Sequence, residues 1–350
     1  MICKTYPLHA LEGSYKYVVV LSHMNGHILL SRHKQRTTWE TQGGHIESGE
    51  TPLQAARREL FEESGAEEYT LMPLCDYWAG SEDGLRGESG MVFTANIRKL
   101  GDMPESEMAQ TRCFDALPED LTYPPITKTL FAYLESAPTR VLIGTTNPSK
   151  VSMFAGKLDG THTQLFTLRD LEICGEPAET GSTLEENAEI KAAYYARYAD
   201  NVICMDSGLY LDALELDDAR QPGLHVRTPN GCERLDDEQM IAHYAALAHE
   251  LGGHALAYYM NAVAIMQDGK MTVLAQTRQE ARQTAFYLTD TVDERRRPGW
   301  PLDSLSFCMD GTRFLDVKEE AVPACEGSYD VRMKKVLREK LGEEACSAAV

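Results

Sequence analysis

Three glutamates stand close together in the first half of the chain, and their spacing is that of one helical face. Glu59, Glu62 and Glu63 lie at i, i+3 and i+4, so their carboxylates come together if the segment is a helix. Such carboxylates repel one another unless a cation lies among them, and their oxygens are the ligands that Mg²⁺ and Mn²⁺ prefer. A solvated acidic surface is the plainer interpretation, and the charge pattern alone favours it.

Local signals define the helix that would carry these glutamates. Thr51 is a suitable N-cap with Gln54 three residues later, which together form a capping box. Pro52 occupies the first helical position, and Gly65 is placed to end the helix. The sequence therefore predicts a helix over about 52–64, preceded by a loop in which Gly44 lets the backbone approach closely.

The spacing within residues 44–66, GHIESGETPLQAARRELFEESGA, decides between these interpretations. The order is glycine, five residues, glutamate, seven residues, Arg-Glu, an aliphatic residue, any residue, Glu-Glu, any residue, glycine and an aliphatic residue. This order resembles the box that marks Nudix hydrolases, and a chance match is on the order of 10⁻⁷ per chain. The positions concerned are Gly44, Glu50, Arg58, Glu59, Leu60, Glu62, Glu63, Gly65 and Ala66.

The resemblance covers residues 1–136 and implies an α/β/α sandwich that uses Mg²⁺ or Mn²⁺. It implies hydrolysis of a nucleoside diphosphate linked to another group, by attack of water on phosphorus. The segment after the box resembles 8-oxo-dGTP diphosphatases more weakly, and ADP-ribose or a dinucleotide stays open as an alternative substrate. A hairpin of Tyr17–Ser22 and His27–Ser31 around Asn25-Gly26 suits this fold.

The same resemblance assigns roles inside the box. Glu59, Glu62 and Glu63 would hold the metal, and Glu59 or Glu62 would act as the general base. An acid from outside the box, with Glu88 as one candidate, is the alternative base. The structural positions of the box would be Gly44, Glu50, Arg58 and Gly65.

A second set of polar residues follows the linker at Ser136–Pro138. A buried strand over 140–144 leads into Thr145 and Asn147, and Asn147 can cap a helix whose N-terminus would bind phosphate with Lys150 nearby. Helical caps without any ligand are the plainer interpretation. Further on, a helix predicted over about 184–198 would begin with a capping box from Thr183 to Glu186. It would bring Asn187 and Lys191 together, and Asp206 would end a strand before a glycine turn.

In their order, TTNPSK, TLEENAEIKA, DSGLYLDAL and PGLHVR resemble the inosine-triphosphate pyrophosphatase family over about 140–330. The resemblance implies an α/β domain with a mixed sheet over 139–350, Mg²⁺, and hydrolysis of deaminated purine nucleoside triphosphates to monophosphate and pyrophosphate. Asp206 would activate water, Glu186 would hold the metal, and Trp300 would stack on the purine. The remaining substrate contacts would come from Thr145, Asn147, Lys150, Lys191 and Asp303.

The second domain departs at two places from the family that it resembles. Met205 replaces the first of two adjacent acids, and Ser328-Tyr329-Asp330 stands where the family has a Ser-His-Arg triplet that grips base and phosphate. Arg332 is a nearby substitute. Two readings therefore stay open: an active pyrophosphatase, or a nucleotide-binding or dimerisation module beside one catalytic Nudix domain.

The composition limits the classes of molecule that the chain is expected to bind. With 34 basic against 54 acidic residues the net charge is −20, which disfavours nucleic-acid polymers and anionic membranes. No apolar run is long enough to span a bilayer. Nine cysteines without a C-x-x-C pair suit free thiols in a reducing cytoplasm. The resulting prediction is a two-domain nucleotide-pool sanitation enzyme, with a homodimer through the second domain implied by resemblance.

Overall fold

Residue contacts divide the chain into two units. The computed structural model describes residues 1–297, 299–317 and 328–342. The first unit comprises residues 1–140 with 196–200, and the second the rest of the described chain. The predicted end of the second domain at residue 350, and Cys325 and Cys346, lie outside the described residues. Among the described residues, no helix is both long and apolar enough to cross a membrane.

A seven-stranded mixed sheet forms the centre of the first unit. Its strands run in the order β1-β5-β6-β2-β3-β7, and β4 pairs with β2. The β2–β6 pair is parallel and the other pairs are antiparallel. The elements are β1 (Ile2–Tyr6), β2 (Tyr15–Met24), β3 (His27–His33), β4 (Gln42–His45), α1 (Pro52–Ser64), β5 (Ala66–Gly80), β6 (Gly87–Leu100), β7 (Met108–Phe114) and α2 (Pro124–Glu135).

Alternation along β2 gives this sheet two apolar faces. Val18 and Val20 pack with Leu60 of α1 on one face. Leu21 packs with Leu130 of α2 in a separate cluster. Because successive strand residues point to opposite faces, the sheet is covered by a helix on each side. This is the three-layer α/β/α arrangement that the resemblance to Nudix hydrolases implies, and the predicted hairpin of β2 and β3 is present.

The second unit contains another seven-stranded mixed sheet, as expected. Its order is β14-β13-β11-β10-β8-β9, with β12 on β11; β8 and β10 are parallel and β10 and β11 antiparallel. The elements are β8 (Thr139–Ile143), α3 (Pro148–Leu158), β9 (Thr163–Thr167), α4 (Leu184–Tyr195), β10 (Asn201–Leu211), α5 (Asp237–Glu250), β11 (His254–Gln267), β12 (Lys270–Ala275), α6 (Arg278–Arg282), β13 (Phe286–Thr289), β14 (Ser306–Phe307) and α7 (Tyr329–Leu341).

One predicted boundary in this unit is wrong. Asp206 does not end a strand, because β10 continues through Ser207 and Gly208 to Leu211, paired throughout with β11. At Gly208 a Cβ atom would lie 2.8 Å from the carbonyl oxygen of Gly223, so glycine lets a neighbouring segment close on the strand. Asp206 therefore lies inside a continuous ladder, which fixes its backbone more firmly than a turn would.

Candidate functional sites

Arg58 ties the loop before α1 to the helix itself. Its Nε and Nη2 donate to the two carboxylate oxygens of Glu50 at 2.8 and 3.0 Å. Nη2 also donates to the carbonyl oxygen of His45 at 2.9 Å, and Nη1 donates to Glu59 at 2.7 Å. Hydrogen bonding from Arg58 holds the pKa of the Glu50 carboxyl below its usual value, so Glu50 stays ionised. The bidentate pair thus positions the loop and the Glu59 carboxylate together.

The helix ends explain why α1 presents these groups in a fixed register. The Thr51 side chain accepts from the backbone N–H of Gln54, whose side chain in turn accepts from the backbone N–H of Thr51. Gly65 ends the helix with φ of 72°, a left-handed conformation that glycine adopts without strain. The caps predicted for this helix are present.

Gly44 makes room for the Glu59 carboxylate. A Cβ atom at position 44 would lie 2.3 Å from Oε1 of Glu59, so any larger residue displaces that group. Glu59 is 9% exposed, and burial raises the pKa of its carboxyl although Arg58 acts in the opposite direction. The absence of a side chain at this glycine of the box therefore lets a buried carboxylate lie against the loop.

Glu63 and Glu62 have unlike surroundings although they are neighbours in sequence. Glu63 accepts a hydrogen bond from the backbone N–H of Gly43 at 2.9 Å, and burial raises the pKa of its carboxyl to about 8. Glu62 has a side chain 48% exposed, with Arg58 at 3.3 Å. Of the three glutamates, Glu62 is thus the one free to move. Glu88, the alternative acid, is exposed near the start of β6.

These residues fit a hard divalent cation. Their donors are carboxylate oxygens, and the raised pKa values of Glu59 and Glu63 show that charging them without a further positive partner is costly. In the described part of the chain, no three His, Cys, Asp or Glu side chains are already arranged to hold a metal. Binding a cation at α1 therefore requires side-chain rotation, which the exposed Glu62 can make.

The second unit contains a cavity of about 490 Å³ lined by polar groups. Every site residue predicted for this unit lines it except Glu186. Those present are Thr145, Asn147, Lys150, Lys191, Asp206, Trp300 and Asp303. Residues from the loop after β8, from α3, α4 and β10, and from the segment 299–303 thus lie around one cavity although they are far apart in the sequence.

One part of the cavity is formed by the N-terminus of α3. Asn147 caps the helix by accepting from the backbone N–H of Ser149 at 2.9 Å, and its own N–H donates to Thr145 at 3.2 Å. Lys150 donates to the carbonyl oxygen of Met205 at 3.2 Å, and burial lowers the pKa of its ammonium to about 8. Free helix N–H groups beside a lysine form a suitable site for phosphate oxygens.

Asp206 lies beside Lys191 in the same cavity. Nζ of Lys191 is 2.6 Å from Oδ1 of Asp206 and 2.9 Å from Glu179, and Nδ2 of Asn187 is 3.5 Å from Oδ2. Burial disfavours the charged form of Lys191, but Asp206 and Glu179 outweigh it and raise the pKa of the ammonium. Asn187 and Lys191 therefore act on one carboxylate, as their i, i+4 spacing suggests.

Glu186, the predicted metal ligand of this unit, does not line the cavity. Its exposed carboxylate accepts from the backbone N–H and hydroxyl of Ser182 at 2.6 and 2.8 Å. Thr183 accepts from the N–H of Glu186 at 3.1 Å, so only half of the predicted capping box forms. Two acids that the sequence reasoning missed, Glu176 and Glu179, line the cavity instead. Their closeness in GEPAETG, just before α4, is the signal that could have found them.

Trp300 and Asp303 lie on another part of the lining. Trp300 is 38% exposed, whereas Asp303 is 8% exposed and its Oδ2 accepts from Arg297 at 2.8 Å. Burial raises the pKa of the Asp303 carboxyl although Arg297 acts against it. Tyr259, which the sequence reasoning did not single out, also lines the cavity and stacks on Phe286.

The residues that depart from the family pattern have structural roles. Tyr329 is 5% exposed, and its hydroxyl donates to the carbonyl oxygen of Leu274 at 3.2 Å. Asp330 pairs with Lys157, and Arg332 pairs with Glu280 at 2.6 Å. None of residues 329, 330 and 332 lines the cavity, whereas Met205 does. The expectation that Arg332 substitutes for the missing arginine at the cavity is therefore wrong.

Two separate parts of the chain match two protein-family models. Residues 16–120 match the NUDIX domain model, and residues 141–283 match the Ham1 family model. A dITP/XTP pyrophosphatase of Exiguobacterium sp. is 36% identical over 115 residues, 33% of this chain and 55% of its own length. The chain thus spans little more than half of that relative.

Two solved structures are similar to parts of the chain. The Staphylococcus aureus Ham1 protein is 20% identical, with a TM-score of 0.43, and the match covers 57% of this chain and 98% of that one. The Bacillus subtilis pyrophosphohydrolase BsRppH is 27% identical, with a TM-score of 0.33 and coverage of 38% and 87%. By the two family models, the chain contains a NUDIX domain at residues 16–120 followed by a Ham1 family domain at residues 141–283.

Proposed function

We propose that the chain is a nucleotide pyrophosphohydrolase with two active sites. The NUDIX domain acts on oxidised nucleoside triphosphates, and the Ham1 domain acts on deaminated purine nucleoside triphosphates. In both, water attacks phosphorus, the α–β phosphoanhydride bond breaks, and monophosphate and pyrophosphate leave. The observation that carries the proposal is that one cavity of the Ham1 domain is lined by groups able to bind phosphate, by Asp206 with its ion-pair partner Lys191, and by the aromatic ring of Trp300.

In the NUDIX domain, Glu59, Glu62 and Glu63 are the residues to hold Mg²⁺ or Mn²⁺. The bound cation would neutralise charge on phosphoryl oxygens and acidify water. Arg58 orients Glu59, and the N–H of Gly43 holds Glu63. Glu62 makes the weakest contact of the three and is the most exposed, so it is the residue best placed to take a proton from water.

In the Ham1 domain, Asp206 takes the proton from the attacking water. Lys191 at 2.6 Å stabilises the ionised carboxylate that a base requires. The N-terminus of α3 and Lys150 bind the phosphates, and the acids that line the cavity, Glu176 and Glu179, replace Glu186 as the proposed holders of Mg²⁺. Free thiols at the described cysteines suit the cytoplasm proposed for this chemistry.

Separate variants test the two sites. Hydrolysis of 8-oxo-dGTP, ITP, XTP and the unmodified triphosphates would be measured with Mg²⁺ for the wild type, Glu62→Gln and Asp206→Asn. We expect Glu62→Gln to abolish only 8-oxo-dGTP turnover and Asp206→Asn only ITP and XTP turnover. Matched exposed changes, Glu68→Gln and Asp217→Asn, leave both activities intact. A wild type that leaves the whole panel uncut contradicts the proposal.

A second candidate rests on Met205 and on the structural roles of Tyr329 and Asp330. Here only the NUDIX domain is catalytic, with ADP-ribose or a dinucleotide as further substrates, and the Ham1 domain binds nucleotide or forms a homodimer. This second candidate is supported if the Asp206→Asn variant still hydrolyses every substrate and the Glu62→Gln variant hydrolyses none. Light scattering reports the oligomer: a monomeric mass contradicts the homodimer.

A further inference from the structure

A polar strip made of Ser207 and Asn261 crosses the floor of the Ham1 cavity, apart from the groups assigned above to catalysis. Ser207 of β10 and Asn261 of β11 both line the cavity, and they are direct partners in the antiparallel ladder. Residues paired in this way point to the same face of the sheet. The hydroxyl of Ser207 and the amide of Asn261 therefore lie side by side on the cavity floor.

The polar strip separates two apolar cores. The preceding pair on the same face, Met205 and Val263, belongs to the core formed with α3 and α7. In the following pair, Leu209 belongs to the core formed with α5, and Tyr259 packs against that core. The polar strip thus lies at the bottom of the groove between the two cores, where its side chains face a ligand or water instead of a helix.

Gln276 fixes the orientation of the Asn261 amide. Nδ2 of Asn261 donates to Oε1 of Gln276 at 3.1 Å, and the backbone N–H of Gln276 donates to the carbonyl oxygen of Asn261 at 2.9 Å. The amide keeps Oδ1 as an acceptor, and no described residue donates to that oxygen. The Ser207 hydroxyl has no hydrogen bond to the described part of the chain, so it can donate and accept. The polar strip therefore offers a fixed acceptor beside a rotatable hydroxyl.

The two ends of the groove carry different groups. At one end, Nζ of Lys150 donates to the carbonyl oxygen of Met205 at 3.2 Å, beside the N-terminus of α3. At the other end, Tyr259 lines the cavity, and Leu302 brings the segment that carries Trp300 into the same core. Four strand residues, about 14 Å, separate the ends. A nucleotide with its phosphates at α3 and its base at the aromatic end therefore places its sugar over the polar strip.

Ribose has the groups that match the polar strip. Its 2′- and 3′-hydroxyls are neighbours on one face of the ring, and each of them can both donate and accept a hydrogen bond. One hydroxyl can donate to Oδ1 of Asn261 while the other exchanges a hydrogen bond with Ser207. A sugar that lacks these hydroxyls covers Oδ1 without giving it a donor, and an acceptor that is desolvated in this way costs binding free energy.

We propose that Ser207 and Asn261 bind the ribose hydroxyls of the nucleotide and make the Ham1 site selective for ribonucleotides over deoxyribonucleotides. The inference rests on the proposed function of the Ham1 domain and adds the part of the nucleotide that the cavity floor recognises. Gln276 is a positioning residue, because it contacts Asn261 and does not itself line the cavity.

Binding of analogues that cannot be cleaved tests the inference apart from turnover. The full chain would be titrated by calorimetry with Mg²⁺ and the α,β-methylene analogues of ITP, 2′-deoxy-ITP and 2′,3′-dideoxy-ITP, and with pyrophosphate. We expect the wild type to bind the ITP analogue about 5- to 20-fold more tightly than the 2′-deoxy analogue, and the dideoxy analogue more weakly still. Ser207→Ala and Asn261→Leu should each weaken the ITP analogue by about 5- to 20-fold. Binding of the dideoxy analogue and of pyrophosphate should change less than about twofold.

Matched controls and two variants separate the outcomes. Ser152→Ala on α3 and Gln279→Leu on α6 change exposed residues that do not line the cavity. Equal wild-type affinity for the three analogues overturns the inference, and so does equal weakening of every ligand by Ser207→Ala. Asn261→Leu also takes a partner from Gln276, so Ser207→Ala decides alone if Asn261→Leu lowers thermal melting. A ribose preference without hydrolysis of ITP refutes the proposed activity and keeps the inference, whereas hydrolysis of ITP without that preference does the reverse.

Discussion

The Lys191–Asp206 pair offers the sharpest test of how the Ham1 cavity is held together. Replacing Lys191 by methionine keeps most of the side-chain volume and removes the ammonium group. Asp206, which is 5% exposed, then loses a partner at 2.6 Å and keeps only the weak contact with Asn187 at 3.5 Å. Asp206 becomes a buried carboxylate without its ion-pair partner, with Lys150 as the remaining cation that interacts with it, and the loss of the direct pair is the source of the predicted instability.

The expected cost follows from the burial of the pair. Breaking a buried ion pair by removing one partner costs about 3–5 kcal/mol. Glu179 is the other partner of Lys191, but it is 46% exposed and its loss adds less than about 1 kcal/mol. For a domain of this size roughly 2–4 °C is lost per kcal/mol, so the Ham1 transition falls by about 6–20 °C. Asp206→Asn in the same chain removes the stranded charge and recovers most of this loss.

Differential scanning calorimetry at pH 7 measures the effect on the full chain. Lys191→Met, Asp206→Asn and the double variant form a cycle, and Lys335→Met serves as the matched control. Lys335 has an exposed i, i+4 pair with Glu339, so its removal leaves melting within about 2 °C of the wild type. If Lys191→Met melts like the control, or if Asp206→Asn fails to rescue it, the pair does not carry the energy assigned to it.

Three further predictions concern Gly44 and Gly43 of the NUDIX loop and Lys150 of the Ham1 domain. The Cβ atom of Gly44→Ala would lie 2.3 Å from Oε1 of Glu59 and displace that carboxylate, so we expect Mn²⁺ affinity by electron paramagnetic resonance to fall about tenfold with little change in melting. Gly43→Ala, at φ of +150° with its Cβ 2.3 Å from the carbonyl oxygen of Val18, should instead lower stability by about 2 kcal/mol, and unchanged urea unfolding would contradict this. The pKa of Lys150 is lowered to about 8, so its positive charge is present below pH 8 and is lost above it. The affinity for ITP should therefore fall by up to about tenfold from pH 7 to pH 9. In the Lys150→Arg variant the affinity should depend less on pH, because arginine stays protonated. An equally steep pH dependence in that variant would refute the role of Lys150.

The position of helix α1 in the NUDIX domain could be predicted from local sequence signals. The capping box of Thr51, proline at position 52 and glycine at position 65 fix the ends of α1 through contacts within a few residues. Once the ends are fixed, the 3.6-residue period decides which side chains share a face. The same holds for Asn147 at α3 and for Asn187 and Lys191 on α4, where helical spacing alone brought two groups to one partner.

Positions that depend on strand pairing or on distant loops were not predictable in this way. The sequence pattern predicts Asp206 at a strand end, but the ladder with β11 extends β10 to Leu211. The family resemblance implies that Glu186 holds the metal, but Ser182, four residues earlier, donates two hydrogen bonds to its carboxylate. Each outcome depends on which hydrogen-bonding partner is available in the folded chain, and the alternative partners are not evident from the sequence.

The identity of the chemical groups and their order along each helix follow from local sequence, because spacing and capping act over a turn or two. The different environments of these groups arise from long-range packing. Burial separates Glu63, whose carboxyl pKa is raised to about 8, from the exposed Glu62 beside it. Packing places Tyr329 in a hydrophobic core away from the cavity that Met205 lines, because desolvation and the choice of partner are properties of the folded surroundings and not of a single residue.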